Sequence, residues 1–483
     1  MKEDSKQPHL KHELGLLDGT MLVAGSMIGS GIFIVSADIT RNVGSAGWLI
    51  VVWLLTGFMT LTAALSYGEM SSMFPKAGGQ YIYLKEAYNK LIGFLYGWSF
   101  FAVIQTGTIA AVGVAFSKFT AYIMPPSLKS WVSEENVVFD LGFIHITSAQ
   151  IVSILVILLL TYINTKGVKS GKIIQTTFTL TKILSLFGLI IFGFWALSGN
   201  TWHLNWSNAW NLRQLHTDGS LTAYTTAAAL GAIAASMIGS IFSSDSWNSV
   251  TFIAGEMKNP KRDVALSLFF GTMIVTLIYV AANVMYTSVL PLHDIATAEK
   301  DRVAVSASHV IFGAGGTIVI AIMIMISTFG CNNGLIFSGA RVYYTMAKDG
   351  LFFKKAGTLN KNAVPGFGLW IQALVASLLC LSGKYGDLLT MISFVVVVFY
   401  VLTIIGIYKL RITRPELERP YKAFGYPILP AIYILMGIAF CILLVIYVQP
   451  YTWYGLGIVL LGIPIYYIAK RNLKNEGAEV TDL

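Results

Sequence analysis

The stretch Gly25–Phe33, Gly-Ser-Met-Ile-Gly-Ser-Gly-Ile-Phe, interrupts the first long apolar run of this chain. The run begins near Leu14, so at 1.5 Å per residue the interruption lies roughly 20 Å along a helix, near the middle of a bilayer. Gly25, Gly29 and Gly31 each lower helix propensity, and backbone polar groups cannot stay unpaired in hydrocarbon. We therefore expect a discontinuous helix whose opened backbone lines a polar cavity inside the protein.

An opened helix at this depth offers two complementary sites for charge. The N–H groups that start its second half favour a carboxylate, and the carbonyls that end its first half favour an ammonium. An amino acid carries both groups. The alternative interpretation is a glycine-rich packing face without any opening, which is the usual meaning of Gly-x-x-x-Gly patterns in membrane helices.

The composition predicts an all-α polytopic membrane protein. Of the 483 residues, 55% are hydrophobic and 12% are charged, whereas soluble domains are about 25% charged. The net charge of +9 comes from short basic clusters between apolar runs, so we expect a lipid bilayer and no nucleic acid as partner. Cys331, Cys380 and Cys441 lie inside apolar runs, so we expect no metal site, no cofactor and no disulfide-linked partner subunit.

Apolar runs long enough to cross a bilayer predict twelve transmembrane helices. They lie near 14–40, 46–72, 91–123, 148–165, 173–198, 223–255, 264–290, 304–340, 365–382, 387–408, 425–448 and 452–469. We expect cytoplasmic tails at 1–13 and 471–483, a ten-helix core at 14–410 and two additional helices at 411–470. Lys and Arg concentrate in both tails and in the even-numbered connections, so the positive-inside rule places both termini in the cytoplasm.

The sixth run repeats the interruption of the first. Phe242-Ser243-Ser244-Asp245-Ser246 is a polar insertion between apolar stretches. The two breaks lie five spans apart. If a five-span unit is duplicated in tandem, the second copy starts on the opposite side of the membrane because five is odd, so the two copies have opposite orientations. The pattern predicts a five-plus-five inverted repeat with a substrate site near the membrane midplane, between the broken first and sixth helices.

Five motifs along the chain carry a family resemblance. They are Gly25–Phe33, Phe74–Tyr81 (Phe-Pro-Lys-Ala-Gly-Gly-Gln-Tyr), Gly255–Pro260 (Gly-Glu-Met-Lys-Asn-Pro), Ser338–Arg341 with Lys348–Gly350, and Arg419–Lys422 (Arg-Pro-Tyr-Lys). Together they resemble the amino acid–polyamine–organocation superfamily, and within it the L-amino acid transporter family. The resemblance implies a five-plus-five fold with two additional helices that moves amino acids by alternating access, often as an exchanger and without sodium.

The same resemblance implies which residues bind substrate. The backbone N–H groups of Ser30 and Gly31 would hold the carboxylate, and carbonyls near Met27 and of Phe242 and Ser243 would meet the amine. Phe242 matches an aromatic gate, although a Phe in an apolar helix is more often simply core. The complete candidate set is Ser26, Met27, Ile28, Gly29, Ser30, Gly31, Phe242, Ser243, Ser244 and Asp245. The chain departs from its relatives at Ser246, where Gly is common, and at Asp245, where many carriers of neutral substrates have a small uncharged residue.

Lys182 lies well inside the fifth apolar run, about 14 Å along it. A lysine at this depth costs at least ~2.5 kcal/mol on insertion scales, so we expect it to face the interior and to have a partner. In the resembled family a lysine of this span replaces a sodium ion beside the first broken helix. The alternative is a lysine near a helix end.

Four further polar residues have competing interpretations. Asp245 either contacts a cationic substrate side chain, pairs with Lys182 or accepts hydrogen bonds from the opened backbone. Glu69 and Glu256 lie near span ends, where pairing with Lys or Arg in a gate or scaffold is expected more than substrate contact. Tyr400 either bonds into the cavity or packs.

These observations favour a sodium-independent L-amino acid transporter. We expect an exchanger of neutral amino acids, monomeric and multi-pass in the cell membrane. The alternatives are a carrier of cationic amino acids or polyamines, or a proton-coupled symporter. An enzyme is not expected, because His-x-x-Glu-His-like and Gly-x-Ser-x-Gly patterns are absent from the sequence.

Overall fold

The computed structural model describes residue 10 and residues 12–124, 136–140, 145–382 and 385–475. Over these residues the chain is mainly helical. The helices are α1 (Leu16–Met27), α2 (Gly31–Val43), α3 (Ala46–Met73), α4 (Gln80–Ala87), α5 (Lys90–Ser99), α6 (Gln105–Ile123), α7 (Ser148–Thr165), α8 (Val168–Trp195), α9 (Gly199–Trp206), α10 (Thr226–Ser243), α11 (Ser249–Phe252), α12 (Pro260–Val289), α13 (Leu292–Ala296), α14 (Val303–Phe312), α15 (Ala314–Lys348), α16 (Gly366–Ser382), α17 (Tyr385–Thr413), α18 (Ile428–Tyr447) and α19 (Tyr451–Asn475). Two antiparallel hairpins pair β1 (Val137–Asp140) with β2 (His145–Thr147) and β3 (Arg213–Leu215) with β4 (Leu221–Ala223).

The prediction of a polytopic helical membrane protein is confirmed. Within the described residues, ten helices are long and apolar enough to cross a bilayer, and the bent pair α1–α2 would make eleven. The predicted ninth span corresponds to α16, which has 17 residues and is about 25 Å long, shorter than a typical hydrocarbon core. The count of twelve spans therefore stays a prediction.

The predicted eighth span, 304–340, is not one helix. Gly313 has a φ of 70°, in the left-handed region that glycine tolerates, and it separates α14 from α15. The 35 residues of α15 continue to Lys348, beyond the predicted end. The prediction was wrong here because both helices are apolar and a single glycine in an apolar run does not reveal where one helix ends and the next begins.

The two broken helices lie at the centre of the bundle. The first half of the first span, α1, packs against α12, α8 and α15, while α2 packs against α10. The last two helices, α18 and α19, are the least covered: 28% of the apolar segment is buried in each. Their exposed apolar surface faces lipid, and their position leaves the central helices inside a shell of others.

Local sequence signals set several helix starts. Asn89 accepts a hydrogen bond from the Ile92 N–H at 3.0 Å and caps α5, and Thr147 and Gln150 form a reciprocal capping box at α7. Pro260 occupies the first turn of α12, where its missing N–H costs no intrahelical bond. Caps of this kind satisfy N–H groups that helix ends leave without partners.

Candidate functional site

The first break lies where the glycine-rich stretch predicts it. Helix α1 ends at Met27 and α2 begins at Gly31, with their axes 42° apart. Ile28 has φ and ψ of −73° and 88°, outside the helical region. The prediction of a discontinuous first span is confirmed.

The carbonyls around this break are all satisfied, mostly by side chains from other helices. Gly25 O and Ile28 O accept from Lys182, Ser26 O from Cys331, Met27 O from Tyr279, and Gly29 O from Ser327. Ala24 O keeps a backbone partner, the Ile28 N–H, at 2.9 Å. The carbonyl oxygens from Ala24 to Gly29 therefore obey the rule that backbone acceptors at membrane depth are paired.

The Lys182 ammonium occupies a cage of carbonyl oxygens. Its Nζ lies 2.5 Å from Gly25 O, 2.7 Å from Ile28 O and 3.3 Å from Ser327 O, and the residue is 1% exposed. An ammonium has three donors, and each has an acceptor here. The lysine faces the interior, as its intramembrane position predicts, and its partners are backbone carbonyls of the broken helix.

The second break follows α10. The helix ends at Ser243, residues 244–248 form a turn, and α11 begins at Ser249. Ser246 has a φ of 65°, a left-handed conformation that costs an L-residue about 1 kcal/mol and glycine almost nothing. A glycine would therefore adopt the conformation of Ser246 at lower cost.

The two breaks contact each other. A Cβ atom built on Gly31 would lie 1.8 Å from Ser243 Oγ, so only a glycine fits at that point. The Tyr279 hydroxyl lies 2.9 Å from Met27 O and 3.0 Å from Ser243 O. It therefore links the C-terminal end of α1 to the C-terminal end of α10. Phe242, 7% exposed, is buried beside this contact.

Asp245 lies within the second break, two residues after the end of α10. Its carboxylate accepts a hydrogen bond from the Tyr400 hydroxyl at 2.5 Å, and the residue is 7% exposed. Two cavities of about 10 and 20 Å³ flank it, one beside Gln80 and one beside Trp247. Each has room for about one water molecule.

Asp245 and Lys182 do not meet. Within the described residues Asp245 forms no ion pair, and Lys182 uses its donors on carbonyls. The interpretation in which the two residues pair is therefore wrong. The interpretation in which Tyr400 bonds toward the site is confirmed by its contact with Asp245.

A cavity of about 810 Å³ lies at the end of the bundle opposite the start of α1. Ile34 of α2 and Gly239 of α10 line it, each about one helical turn from the contact between the breaks. The cavity reaches solvent at Asp38 and Asp301, whose side chains are 56% and 41% exposed. The cavity is therefore open at this end and stops about one helical turn short of the contact between the breaks.

The end of the bundle where α1 begins is closed. Glu256 pairs with Arg341 through Nε–Oε1 and Nη2–Oε2 contacts of 2.7 and 3.2 Å, and both side chains are fully buried. The N–H groups of Glu13 and Leu14 donate to Glu256 O at 3.1 Å. Glu69 pairs with Arg411 at 2.6 Å. The expectation that both glutamates pair with Lys or Arg is confirmed, and both partners are arginines.

A family model described as amino acid permease matches residues 14–467. The chain belongs to the amino acid permease family. Human b(0,+)-type amino acid transporter 1 is 27% identical over 472 residues, which cover 96% of this chain and 89% of that protein. Human large neutral amino acids transporter small subunit 2 is 28% identical over 462 residues, which cover 95% and 80%.

For this permease, the family resemblance inferred from five motifs is confirmed, and with it amino acid transport in place of an enzymatic reaction. Three residues of the first break were missed: Tyr279, Ser327 and Cys331. Each is a side chain able to donate a hydrogen bond inside an apolar run. A polar group at that depth signals an interior position, although the sequence does not reveal which carbonyl it meets.

Proposed function

We propose that this permease is a sodium-independent exchanger of L-amino acids that favours neutral substrates and works by alternating access. The carrying observation is the Lys182 ammonium in the carbonyl cage of the first break. Opened carbonyls at this point of a broken helix are where such transporters coordinate sodium. A tethered ammonium supplies the same positive charge permanently, so external sodium is not needed.

The substrate would lie between the two breaks, on the residues from Ser26 to Gly31 and from Phe242 to Asp245. The first turn of α2 presents N–H groups and the positive end of the helix dipole to a carboxylate. Carbonyls of Met27, Phe242 and Ser243 would meet the amine, because a carbonyl oxygen has a second lone pair. The open cavity on one side and the buried Glu256 pair on the other support alternating access.

A cationic amino acid or polyamine carrier is the second candidate. The buried Asp245 carboxylate forms no ion pair within the described residues, and a substrate ammonium or guanidinium would supply the missing charge. We place neutral substrates first because Tyr400 already donates to this carboxylate. One relative is named for large neutral amino acids, which supports the same order.

We further propose a monomer in the cell membrane with both termini cytoplasmic. The concentration of Lys and Arg in the tails and even-numbered connections supports this orientation. The cysteines lie in α15, α16 and α18, whereas a disulfide to a partner subunit needs an accessible loop cysteine. The words "small subunit" in one relative's name describe that protein.

Exchange in liposomes loaded with unlabelled leucine tests the proposal. We expect wild-type uptake of labelled leucine to be equal in sodium and choline buffers and to require internal amino acid. Lys182→Ala should lower uptake roughly 10- to 150-fold, because it removes charge-assisted hydrogen bonds, and sodium should restore part of it. Lys172→Ala, on the same helix but 36% exposed beside Asp18, is the matched control and should retain uptake.

Two results would contradict the proposal. If wild-type uptake depends strictly on sodium, the proposed sodium independence is wrong. Full uptake by Lys182→Ala would show that the carbonyl cage does not need the ammonium.

A further inference from the structure

Two basic connections meet at the end of the bundle where α1 begins. One joins α7 to α8, and the other joins α15 to α16. The side-chain amides of Asn360 and Asn362 both donate to Thr165 O at 2.9 Å. Lys361, between the two asparagines, is therefore held close to Lys166, which follows the acceptor.

This region contains lysines without internal counter-ions. The sequence has no Asp or Glu between Asp140 and Asp218 or between Asp349 and Asp387. Across the described ranges, Lys166, Lys355 and Lys361 form no ion pair and their side chains are exposed.

Acidic residues near these connections already have cationic partners. Asp18 pairs with Lys172 at 2.8 Å, and Asp349 pairs with Lys85 at 2.6 Å. Neither carboxylate offsets the three lysines, so an anion from outside the chain fits here.

The lysines lie at the end of an apolar seam. Helices α7 and α16 pack against each other, and each presents exposed apolar side chains at helical spacing. On α7 these are Leu155, Leu159 and Tyr162, and on α16 they are Trp370, Leu374 and Leu378, all between 44% and 59% exposed. In a membrane protein, such stripes face acyl chains.

Aromatic residues mark where the seam leaves the hydrocarbon. The Lys166 Nζ lies 4.4 Å from the Tyr162 ring centre, and Phe353, 58% exposed, lies within the connection between α15 and α16, two residues before Lys355. Tyr and Trp concentrate at the level of lipid headgroups. The lysines therefore lie at headgroup depth, with apolar surface on the membrane side.

We propose that Lys166, Lys355 and Lys361 bind the phosphate headgroup of an anionic phospholipid whose acyl chains lie along the α7–α16 seam. Basic pockets between membrane helices bind such headgroups. The apolar stripes favour a lipid over free phosphate, because only a lipid contacts both surfaces. The inference depends on membrane embedding and not on the proposed substrate or coupling.

Native mass spectrometry of the full chain in detergent, titrated with phosphatidylglycerol or phosphatidylcholine, tests the site. We expect wild-type protein to retain phosphatidylglycerol preferentially, and the triple variant Lys166→Gln, Lys355→Gln, Lys361→Gln to lose this preference. The expected loss is about fivefold in affinity for each lysine removed. The corresponding triple arginine variant keeps the charge and should keep the lipid.

The matched control is Lys258→Gln, Lys261→Gln, Arg262→Gln, which removes three exposed charges elsewhere at the same end. Equal loss of lipid in the control would overturn the site, because it would show attraction by net charge alone. Retention in the lysine-to-glutamine triple would also overturn it. If inorganic phosphate alone competes with the lipid, the lysines bind free phosphate, and the proposal of a lipid site is overturned. If the triple variant does not fold, Lys361→Gln alone should lose about fivefold, and unchanged binding would contradict the site.

Discussion

Gly31 lies against Ser243 at the contact between the two helix breaks. A methyl group at Gly31 would overlap Ser243 Oγ and Cβ, at 1.8 and 2.5 Å, so Gly31→Ala must push the breaks apart. We expect leucine exchange to fall at least about tenfold, since small displacements of a binding constellation carry large costs. Gly31→Val should abolish it.

A second change tests whether this contact is the cause. Ser243→Gly removes both overlapping atoms and should restore part of the exchange lost in Gly31→Ala. Gly188→Ala is the control, because a Cβ at Gly188 would meet nothing within 4 Å. Full exchange by Gly31→Ala would show that transport does not require close packing of the two breaks.

Asp245 decides between neutral and cationic substrates. If its carboxylate faces the substrate side chain, Asp245→Asn should lower arginine affinity roughly 10- to 150-fold, because a charge-assisted contact is worth about 1.5 to 3 kcal/mol. Leucine should bind as well or better. Competition curves for arginine and leucine on the purified variant measure both.

Tyr400→Phe serves as the companion variant. It removes the hydrogen bond to Asp245 but leaves the carboxylate, so a cationic substrate should still bind. Equal losses for arginine and leucine in Asp245→Asn would instead show that the carboxylate stabilises the second break, and neutral substrates would remain the better assignment.

The segment after the second break is held by the buried Glu256–Arg341 pair, which joins it to α15. Removing one partner leaves an uncompensated buried charge, which costs about 3 to 5 kcal/mol. We therefore expect Arg341→Met to lower the thermal unfolding midpoint strongly. The double variant Glu256→Leu, Arg341→Met should be less destabilised than Arg341→Met alone.

Lys261 gives a matched comparison at the same end. It pairs with Glu418, and the two side chains are 54% and 76% exposed, so Lys261→Met should change stability by no more than about 1 kcal/mol. A similar shift for Arg341→Met and Lys261→Met would mean that the buried pair does not hold the closed end.

The whole molecule has an open end and a closed end, and the proposed orientation, based on the distribution of Lys and Arg, places the closed end in the cytoplasm. We expect Asn211→Cys to react with a membrane-impermeant maleimide in intact cells and Thr358→Cys to react only after lysis. Both positions are exposed and lie in connections at opposite ends. The unmodified chain, whose cysteines lie within helices, is the control. Labelling of Thr358→Cys in intact cells, and of Asn211→Cys only after lysis, would show that the orientation is the reverse of the proposed one.

The central features follow from sequence because their costs are local. Three glycines in one apolar run, a polar insertion at Phe242–Ser246 and a lysine inside a span each violate the rule for a membrane helix at their own position. Each therefore predicted a break or an interior position without knowledge of neighbouring helices. Local propensity does not determine the number of spans. The consecutive apolar helices α14 and α15 were therefore predicted as a single span.

Only the tertiary structure decided how these features are satisfied. The carbonyls of the first break receive Lys182, Tyr279, Ser327 and Cys331 from three other helices, and Asp245 receives Tyr400 in place of Lys182. Helix packing brings together residues more than a hundred positions apart. Hydropathy determines which groups must be paired, whereas the rotation and register of packed helices determine which partner each one finds.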